Sequence, residues 1–207
     1  MNEKRSDLLI WIDLETTGLD IDFNMLGVQK HKILEIGMHI TDSQFNIVDS
    51  GFEVIIHHDK STLSELMNDF VLDMHTQSGL LDKVEKSTIS LEQAQTMMKA
   101  YVDSYNIETK SSPICGNNVS FDKNFLDAQM PEFSQILHYR KIDVSSIKEV
   151  VKRLRPEIAD LIQKQGKHRG LDDIKESIAE LKIYQQHLFM AEPSANFDNN
   201  HKSLKLK

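Results

Sequence analysis

Two carboxylates interrupt the most apolar segment near the start of the chain. Segment 8–15 reads LLIWIDLE and contains Asp13 and Glu15, two residues apart. Alternate residues of a β-strand share a face, so these two side chains point the same way. Adjacent carboxylates in an apolar setting lose hydration and repel each other unless a cation lies between them. The pair predicts a site for a divalent cation such as Mg²⁺; the alternative is a strand end that simply reaches solvent.

Three further residues are candidates for the same site. Asp122 lies near the start of a predicted helix, where an acid also complements the helix dipole. His168 and Asp172 are four residues apart, so they share a face if the helix has begun by residue 168. Helix-start chemistry explains Asp172 equally well but leaves His168 without a role. The order of these residues, each at the end of a predicted element, favours one site at the edge of an α/β sheet.

The elements that must position these residues follow from hydrophobic periodicity. The predicted strands cover 8–15, 32–41, 45–57, 112–116 and 138–144, with a hairpin turn at 42–44. The predicted helices cover 62–75, 90–105, 117–130, 145–156 and 171–190. Ser145 or Ser146 is the expected N-cap of the fourth helix, and Pro156 its terminator. The pattern predicts an α/β fold with a mixed five-stranded sheet flanked by helices.

Composition favours one domain in a reducing compartment. The chain has 207 residues, 40% of them hydrophobic, which predicts a single domain over 1–190. Residues 191–207 lose all periodicity, so we expect a disordered tail there. The single cysteine, Cys115, excludes an intramolecular disulfide, and no segment is long enough to span a bilayer. We therefore expect a soluble, cytoplasmic protein without membrane association.

The charge is acidic overall but uneven along the chain. A net charge of −8 argues against a long electrostatic track for nucleic acid. Between Arg140 and Arg169, however, nine Lys or Arg residues stand against four Asp or Glu residues. This run is either a solvated helical face or a local anion site in an otherwise acidic protein.

The motifs around these residues resemble those of the Asp-Glu-Asp-Asp-His 3′-to-5′ exonucleases, which have a ribonuclease H-like fold. The motifs span residues 8 to about 188 and read IWIDLETTGLD, ILEIG, HTQSGL, SPICGNNVSFDKNFL, MPEF, HYRKIDVSSIKE, RPEI and KQGKHRGLDDIKESIAEL. The HYR–DVSS and SPICGN motifs are similar to those of the branch that degrades short RNA, rather than those of proofreading exonucleases.

The resemblance implies a reaction and the residues that perform it. Short RNA of two to about five nucleotides would be hydrolysed from its 3′ end to mononucleotides with two Mg²⁺ or Mn²⁺ ions. Asp13, Glu15 and Asp172 would hold the metals, and Asp122 would complete the site directly or through water. His168 would be the general base that activates the attacking water.

The resemblance also implies a pocket for the bases of single-stranded RNA. Leu19 would wedge against the bases, and Phe70 would stack on one of them where the family usually has tryptophan. His75 would approach the substrate. Asn118, at a position where relatives often have serine, would adjust the substrate contacts. Ordinary core positions for Leu19 and Phe70 are the alternative.

A homodimer with a shared site is a further implication. Tyr139 and Arg140 would reach the substrate across the dimer interface, and Arg140 with Ser145 would cap a 5′-phosphate. The alternative for Tyr139 is packing within its own sheet. The basic run from Arg140 onwards would then include the phosphate cap.

A further departure from the family pattern lies between two of its motifs, and there are three rival functions. Segment 21–32 is several residues longer than the usual link between the motifs on either side of it. The rivals are a DNA-directed exonuclease of the same superfamily, a catalytically silent nucleic-acid-binding module, and an acidic metal-binding protein without nuclease activity.

Overall fold

A computed structural model describes residues 3–18, 28, 30–162 and 169–189. The predicted disordered tail at 191–207 lies outside the described residues, as does most of the long 21–32 segment. Within residues 3–18, 30–162 and 169–189, no helix is long and apolar enough to cross a lipid bilayer.

The described strands form one mixed sheet. The strands are β1 (Leu9–Thr16), β2 (Ile33–Thr41), β3 (Phe52–Ile55), β4 (Ile114–Gly116) and β5 (Lys141–Asp143). Their order across the sheet is β3-β2-β1-β4-β5. The pairs β1–β2 and β2–β3 are antiparallel, whereas β1–β4 and β4–β5 are parallel. The predicted mixed five-stranded sheet is confirmed.

Helices flank this sheet. They are α1 (Lys60–Leu66), α2 (Asp69–Gln77), α3 (Leu80–Lys86), α4 (Leu91–Ser104), α5 (Ser120–Gln129), α6 (Pro131–Ser134), α7 (Val144–Leu154), α8 (Pro156–Ala159) and α9 (Gly170–Tyr184). A π-helical turn, Gln185–Phe189, extends α9.

Local side-chain hydrogen bonds are found at some of the places where the elements differ from the sequence prediction. The predicted strand at 45–57 is reduced to β3, and at its predicted start Asp42 accepts the N–H groups of Gln44 and Asn46 and forms a turn. The predicted helix at 62–75 is split because Asn68 caps a new helix by accepting the Val71 N–H.

The start of α7 also differs from the prediction. Its N-cap is Asp143, whose side chain accepts the Ser145 N–H, rather than Ser145 or Ser146. A carboxylate is an equally good cap, and it shifts the helix start to Val144.

The two faces of β1 pack against different layers. Ile10, Ile12 and Leu14 belong to the larger buried cluster, which contains residues of α4, α5 and α6. Trp11 belongs to the second cluster, with side chains of α7 and α9. Since side chains alternate along a strand, Asp13 lies on the Trp11 face, towards α9. The helix that follows residue 169 therefore covers the acidic end of β1.

Candidate metal centre

The register of the sheet places the acidic pair beside the start of α9. Asp13 lies opposite Gly37 on β2, and Glu15 lies opposite Glu35. Side chains of directly opposed residues project from the same face of an antiparallel pair. The backbone of Gly170, the first residue of α9, packs directly against Gly37. The N-terminus of α9 thus meets the strand end that carries Asp13 and Glu15.

Three carboxylates converge at this meeting point. Asp13, Glu15 and Asp173 each offer an oxygen, and these oxygens lie within 4.8 Å of one another. Glu15 is only 9% exposed. Among the described residues this is the group of His, Cys, Asp or Glu side chains able to share a metal ion. Carboxylate oxygens are the preferred protein ligands of Mg²⁺ and suit Mn²⁺ as well.

The third carboxylate of this group is Asp173, whereas the sequence analysis assigned Asp172. The family resemblance implied Asp172 as the ligand, and its placement on one face with His168 required a helix that includes residue 168, but α9 begins at Gly170 with Arg169 as its N-cap. Successive residues of an α-helix are rotated by about 100°, so adjacent aspartates face different directions.

The helical row that carries Asp173 faces the sheet, although its residue types do not indicate this in the sequence. Asp173 lies on one helical row with Gly170, Ser177 and Glu180, all of which are buried. The equivalent row from Asp172 runs through Lys175 and Ala179, which are exposed. Burial in the structure, rather than residue type, therefore identifies Asp173 as the aspartate that meets β1.

Asp122 is buried next to the group without joining it. Its Oδ1 accepts the backbone N–H of Leu14 at 3.0 Å, and its side chain comes from the first turn of α5. Burial raises the pKa of Asp122 to about 7, although the hydrogen bond from Leu14 opposes that shift. Asp122 is close enough for its charge to raise the pKa of Asp13.

Burial and repulsion between neighbouring carboxylates raise the pKa values of Asp13 and Glu15. Burial, followed by repulsion from Glu35 and Asp173, raises the pKa of Glu15 to about 8. Burial, followed by repulsion from Asp122 and Glu15, raises the pKa of Asp13 well above its usual range. At neutral pH the carboxylates therefore need a cation to be fully ionised together.

We predict that the metal-free protein loses stability as the pH rises from about 5 to 8. The native state keeps protons on Glu15 and Asp122 that the unfolded chain has already released. Each retained proton lowers the free energy of unfolding by up to about 1.4 kcal/mol per pH unit. Urea unfolding in chelator across this pH range measures the slope.

The matched variants for this measurement are Glu15→Gln and Glu65→Gln. Glu15→Gln should flatten the slope, whereas the exposed Glu65→Gln should leave it unchanged. Added Mn²⁺ should reduce or reverse the slope, because metal ions bind the deprotonated carboxylates. Identical slopes in Glu15→Gln and wild type would contradict the assignment of these protons to Glu15.

His75 lies directly behind Glu15. Its ring is fully buried, Nε2 donates to the Thr16 carbonyl at 2.9 Å, and Nδ1 lies 4.0 Å from a Glu15 carboxylate oxygen. The family resemblance implied that His75 would approach the substrate. In this structure the side chain instead supports the strand end that carries Glu15.

The other predicted aromatic contacts are exposed. Phe70 is 73% exposed on α2, and Tyr139 is 75% exposed before β5. The Tyr139 ring stacks on His138 at 4.5 Å between centroids, and the Arg140 guanidinium lies 5.3 Å from its centroid. Tyr139 thus does not pack within its own sheet.

Asn118 and Ser145 are brought together at the ends of β4 and β5. The backbone N–H of Asn118 donates to Ser145 Oγ at 2.9 Å and to an Asp143 carboxylate oxygen at 3.1 Å. Asn118 has a positive φ of 51°, a backbone conformation that asparagine adopts more readily than most residues. His168 and Leu19, the remaining predicted site residues, lie outside the described residues.

The basic run from residue 140 to 169 is partly a solvated helical face. Lys152 and Arg153 pair with Glu149 on α7, and Arg155 pairs with Glu157. All of these side chains are at least half exposed. The two glutamates offset two of these three positive charges, which matches the first of the two interpretations for this part of the run.

The chain is similar in sequence to known exonucleases along most of its length. The chain matches the RNase_T exonuclease domain over residues 10–181. It is 42% identical over 181 residues to the oligoribonuclease of Vibrio parahaemolyticus, a match that covers 87% of this chain and 95% of that protein. It is 39% identical over 191 residues to the oligoribonuclease of Corynebacterium diphtheriae, covering 92% and 87%.

Solved structures at low sequence identity share the fold. Pop2p of S. pombe, in a form with Mg²⁺ and Mn²⁺ bound, has a TM-score of 0.65 at 15% identity and covers 87% of this chain and 84% of that chain. The nuclease domain of 3′hExo, a DEDDh family member bound to rAMP, has a TM-score of 0.59 at 16% identity and covers 87% and 92%. The predicted ribonuclease H-like fold is thereby confirmed.

Proposed function

Since the chain belongs to the oligoribonuclease family of exonucleases, we propose that it hydrolyses RNA of two to about five nucleotides from the 3′ end. The 3′-to-5′ exoribonuclease activity follows from the family. The preference for short RNA is supported by the names of the relatives. The structural observation that carries the proposal is the convergence of Asp13, Glu15 and Asp173 within 4.8 Å.

The donor set fits divalent cations such as Mg²⁺ or Mn²⁺, and we propose that two of them bind, as the family resemblance implies. All three converging groups are carboxylates, and burial leaves them in need of positive charge. We assign Asp13, Glu15 and Asp173 as ligands, with Asp122 completing the site directly or through water. Bound cations would stabilise the attacking and leaving oxygens of the phosphodiester.

The chain's own residues orient the reaction. Water attacks the phosphorus of the last phosphodiester, the bond to the O3′ of the preceding nucleotide breaks, and a 5′-mononucleotide leaves. His168 is the proposed general base that takes the proton of this water, since the ordinary histidine pKa of about 6.5 suits proton transfer at neutral pH. Asp122 supports the strand end through the Leu14 N–H.

The remaining sequence-predicted residues are proposed to bind RNA. Leu19 and Phe70 would contact the bases, and exposure of Phe70 leaves its ring available for stacking. Arg140 and Ser145 would bind a 5′-phosphate, with Asn118 held beside Ser145 by its backbone N–H. An anion site of this kind suits a protein whose net charge of −8 disfavours long polyanions.

We further propose a homodimer in which each subunit lends Tyr139 and Arg140 to the site of its partner. The exposure of Tyr139 supports this arrangement, because an aromatic ring outside the core is typical of an interface. Tyr139 also borders an open cleft of about 640 Å³ together with residues of α5 and α6.

A subunit-mixing experiment tests the shared site. Tyr139→Ala and Asp13→Asn should each inactivate the homodimer, whereas an exchanged mixture should regain about a quarter of wild-type activity through its heterodimers. Asp13→Asn mixed with Glu15→Gln is the control, because both changes damage the same carboxylate group and no intact site can form. Equal activities of the two mixtures after verified exchange would contradict a shared site.

The experiment that tests the function is a time course on 5′-phosphorylated RNA of different lengths. Substrates of two, five and about twenty nucleotides are compared in Mn²⁺, Mg²⁺ and chelator. We expect rapid, metal-dependent conversion of the dinucleotide and slow attack on the long RNA. Preference for the long RNA or for DNA would move the protein to another branch of the exonucleases. Absence of cleavage would overturn the proposed function.

A further inference from the structure

A buried acid lies beside the metal group but outside it. Glu35 on β2 is fully buried and sits opposite Glu15 in the strand ladder. Its Oε1 accepts the backbone N–H of Gly170 at 3.2 Å, and its Oε2 lies 3.6 Å from Arg169 Nε. A buried carboxylate needs such positive partners, and here both of them come from the start of α9.

Arg169 connects two strands at this point. While its Nε faces Glu35 on β2, its terminal Nη2 donates to Glu53 on β3 at 2.8 Å. Glu53 lies opposite Gly37, so Glu35 and Glu53 project from the same face of the sheet. The planar guanidinium has N–H groups pointing in several directions, which lets one side chain bridge both acids. We call Glu35, Glu53 and Arg169 the arginine clasp.

The arginine clasp lies where the backbone at the start of α9 packs directly against the backbone of β2. A Cβ added to Gly37 would lie 2.7 Å from the Gly170 carbonyl carbon, which is closer than real contacts allow. The backbones can approach this closely because residue 37 is glycine, and a Cβ on Gly170 would also be tight, at 3.1 Å from the Gly37 nitrogen. The position of α9 along the sheet is therefore closely defined at its first residue.

This start also sets the position of Asp173. The Arg169 carbonyl accepts the Asp173 N–H at 2.9 Å and closes the first turn of α9. A rotation or shift of that turn would move the Asp173 carboxylate relative to Asp13 and Glu15. In the sequence, Arg169 also follows His168, the proposed general base.

We propose that Arg169 is a positioning residue, which acts through the arginine clasp to hold Asp173 in the metal group. This inference rests on the proposed metal-binding role of Asp13, Glu15 and Asp173. The clasp keeps Glu35 engaged with Arg169 and Gly170, and it keeps the first turn of α9 on the face that carries the metal carboxylates. Substrate binding does not depend on it.

The test compares metal affinity, catalysis and stability in Arg169→Gln. We expect Mn²⁺ affinity, measured by calorimetry without substrate, to fall at least about tenfold, as is typical when a residue behind metal ligands is lost. The kcat on the dinucleotide should fall to a similar degree, while KM stays within about threefold. A merely structural ion pair would change the unfolding midpoint without changing the Mn²⁺ affinity of the folded protein.

Arg169→Lys keeps the inference testable if Arg169→Gln does not fold. Lysine retains the charge next to the buried Glu35 but cannot reproduce the bridging fork. We expect it to fold and to lose at least about threefold in both Mn²⁺ affinity and kcat. Arg153→Gln is the matched control, because Arg153 pairs with Glu149 on the exposed side of α7. It should behave as wild type.

The outcomes separate this inference from the proposed function. Mn²⁺ affinity and kcat within about twofold of wild type in every folded Arg169 variant would overturn the positioning role, and so would an equal loss in Arg153→Gln. If wild type binds Mn²⁺ in an Arg169-dependent manner but cleaves no RNA, the proposed function fails and the clasp stands.

Discussion

Asp13→Asn should reduce metal-dependent cleavage of a dinucleotide by at least about 10³-fold while leaving the protein folded. The substitution removes one negative charge from the three-carboxylate group and keeps the shape of the side chain. Loss of charge weakens cation binding, and with it the stabilisation of the attacking and leaving oxygens, which is worth several kcal/mol. The measurement is kcat at saturating Mn²⁺, with calorimetry to record Mn²⁺ affinity.

Stability in chelator gives the same variant a second, independent readout. Repulsion from Asp122 and Glu15 raises the pKa of Asp13, so removal of its charge should raise the free energy of unfolding at pH 8 when no metal is present. Asp103→Asn, an exposed position on α4, is the matched control and should change neither activity nor stability. Full activity of Asp13→Asn would contradict the metal-site assignment. A loss of stability in chelator would contradict the electrostatic account.

Asp173→Asn and Asp172→Asn should differ sharply, although the two residues are adjacent and the chemical change is the same. The Asp173 carboxylate lies within 4.8 Å of Asp13 and Glu15, and Asp172 is absent from that group. We expect kcat to fall by at least about 10³-fold in Asp173→Asn and by less than about tenfold in Asp172→Asn. Both residues lie in the first turn of α9, so any loss of favourable helix-dipole interaction is common to both variants.

The comparison therefore isolates metal binding from helix stability. An unfolding midpoint of Asp173→Asn in chelator at or above that of Asp172→Asn, because repulsion of Glu15 is relieved, combined with a much lower Mn²⁺ affinity, would support Asp173 as the ligand. The reverse ranking of the two variants would return the role to Asp172, and equal activities would remove both residues from the metal group.

The mixed sheet and the main site carboxylates could be predicted from the sequence because they depend on local patterns. The apolar run of β1 and the alternation along it are enough to put Asp13 and Glu15 on one face of a buried strand. The order of three early strands followed by alternating helices and strands is enough for a mixed sheet. Family resemblance then supplied the reaction, which the RNase_T match and the related oligoribonucleases support.

Which aspartate of α9 faces the metal group depends on where that helix starts, and tertiary contacts determine this start. Whether Asp172 or Asp173 meets β1 depends on a rotation of about 100°, which one residue of error in the helix start is enough to reverse. That start is set by contacts with distant residues, namely the Gly37 backbone and the Glu35 carboxylate, and no local pattern around residue 170 reveals them.

The burial of individual side chains was likewise a tertiary result. His75 was predicted as a substrate contact from its motif, yet it is fully buried behind Glu15 and bonded to Thr16. Arg169 counted only as one charge in a basic run, yet it joins β2, β3 and α9 through two acids far away in sequence. Sequence patterns determine which residue types line a face, because they report local periodicity. The distances between side chains on different elements are set only when the sheet and its helices pack together, because these residues are far apart in the sequence.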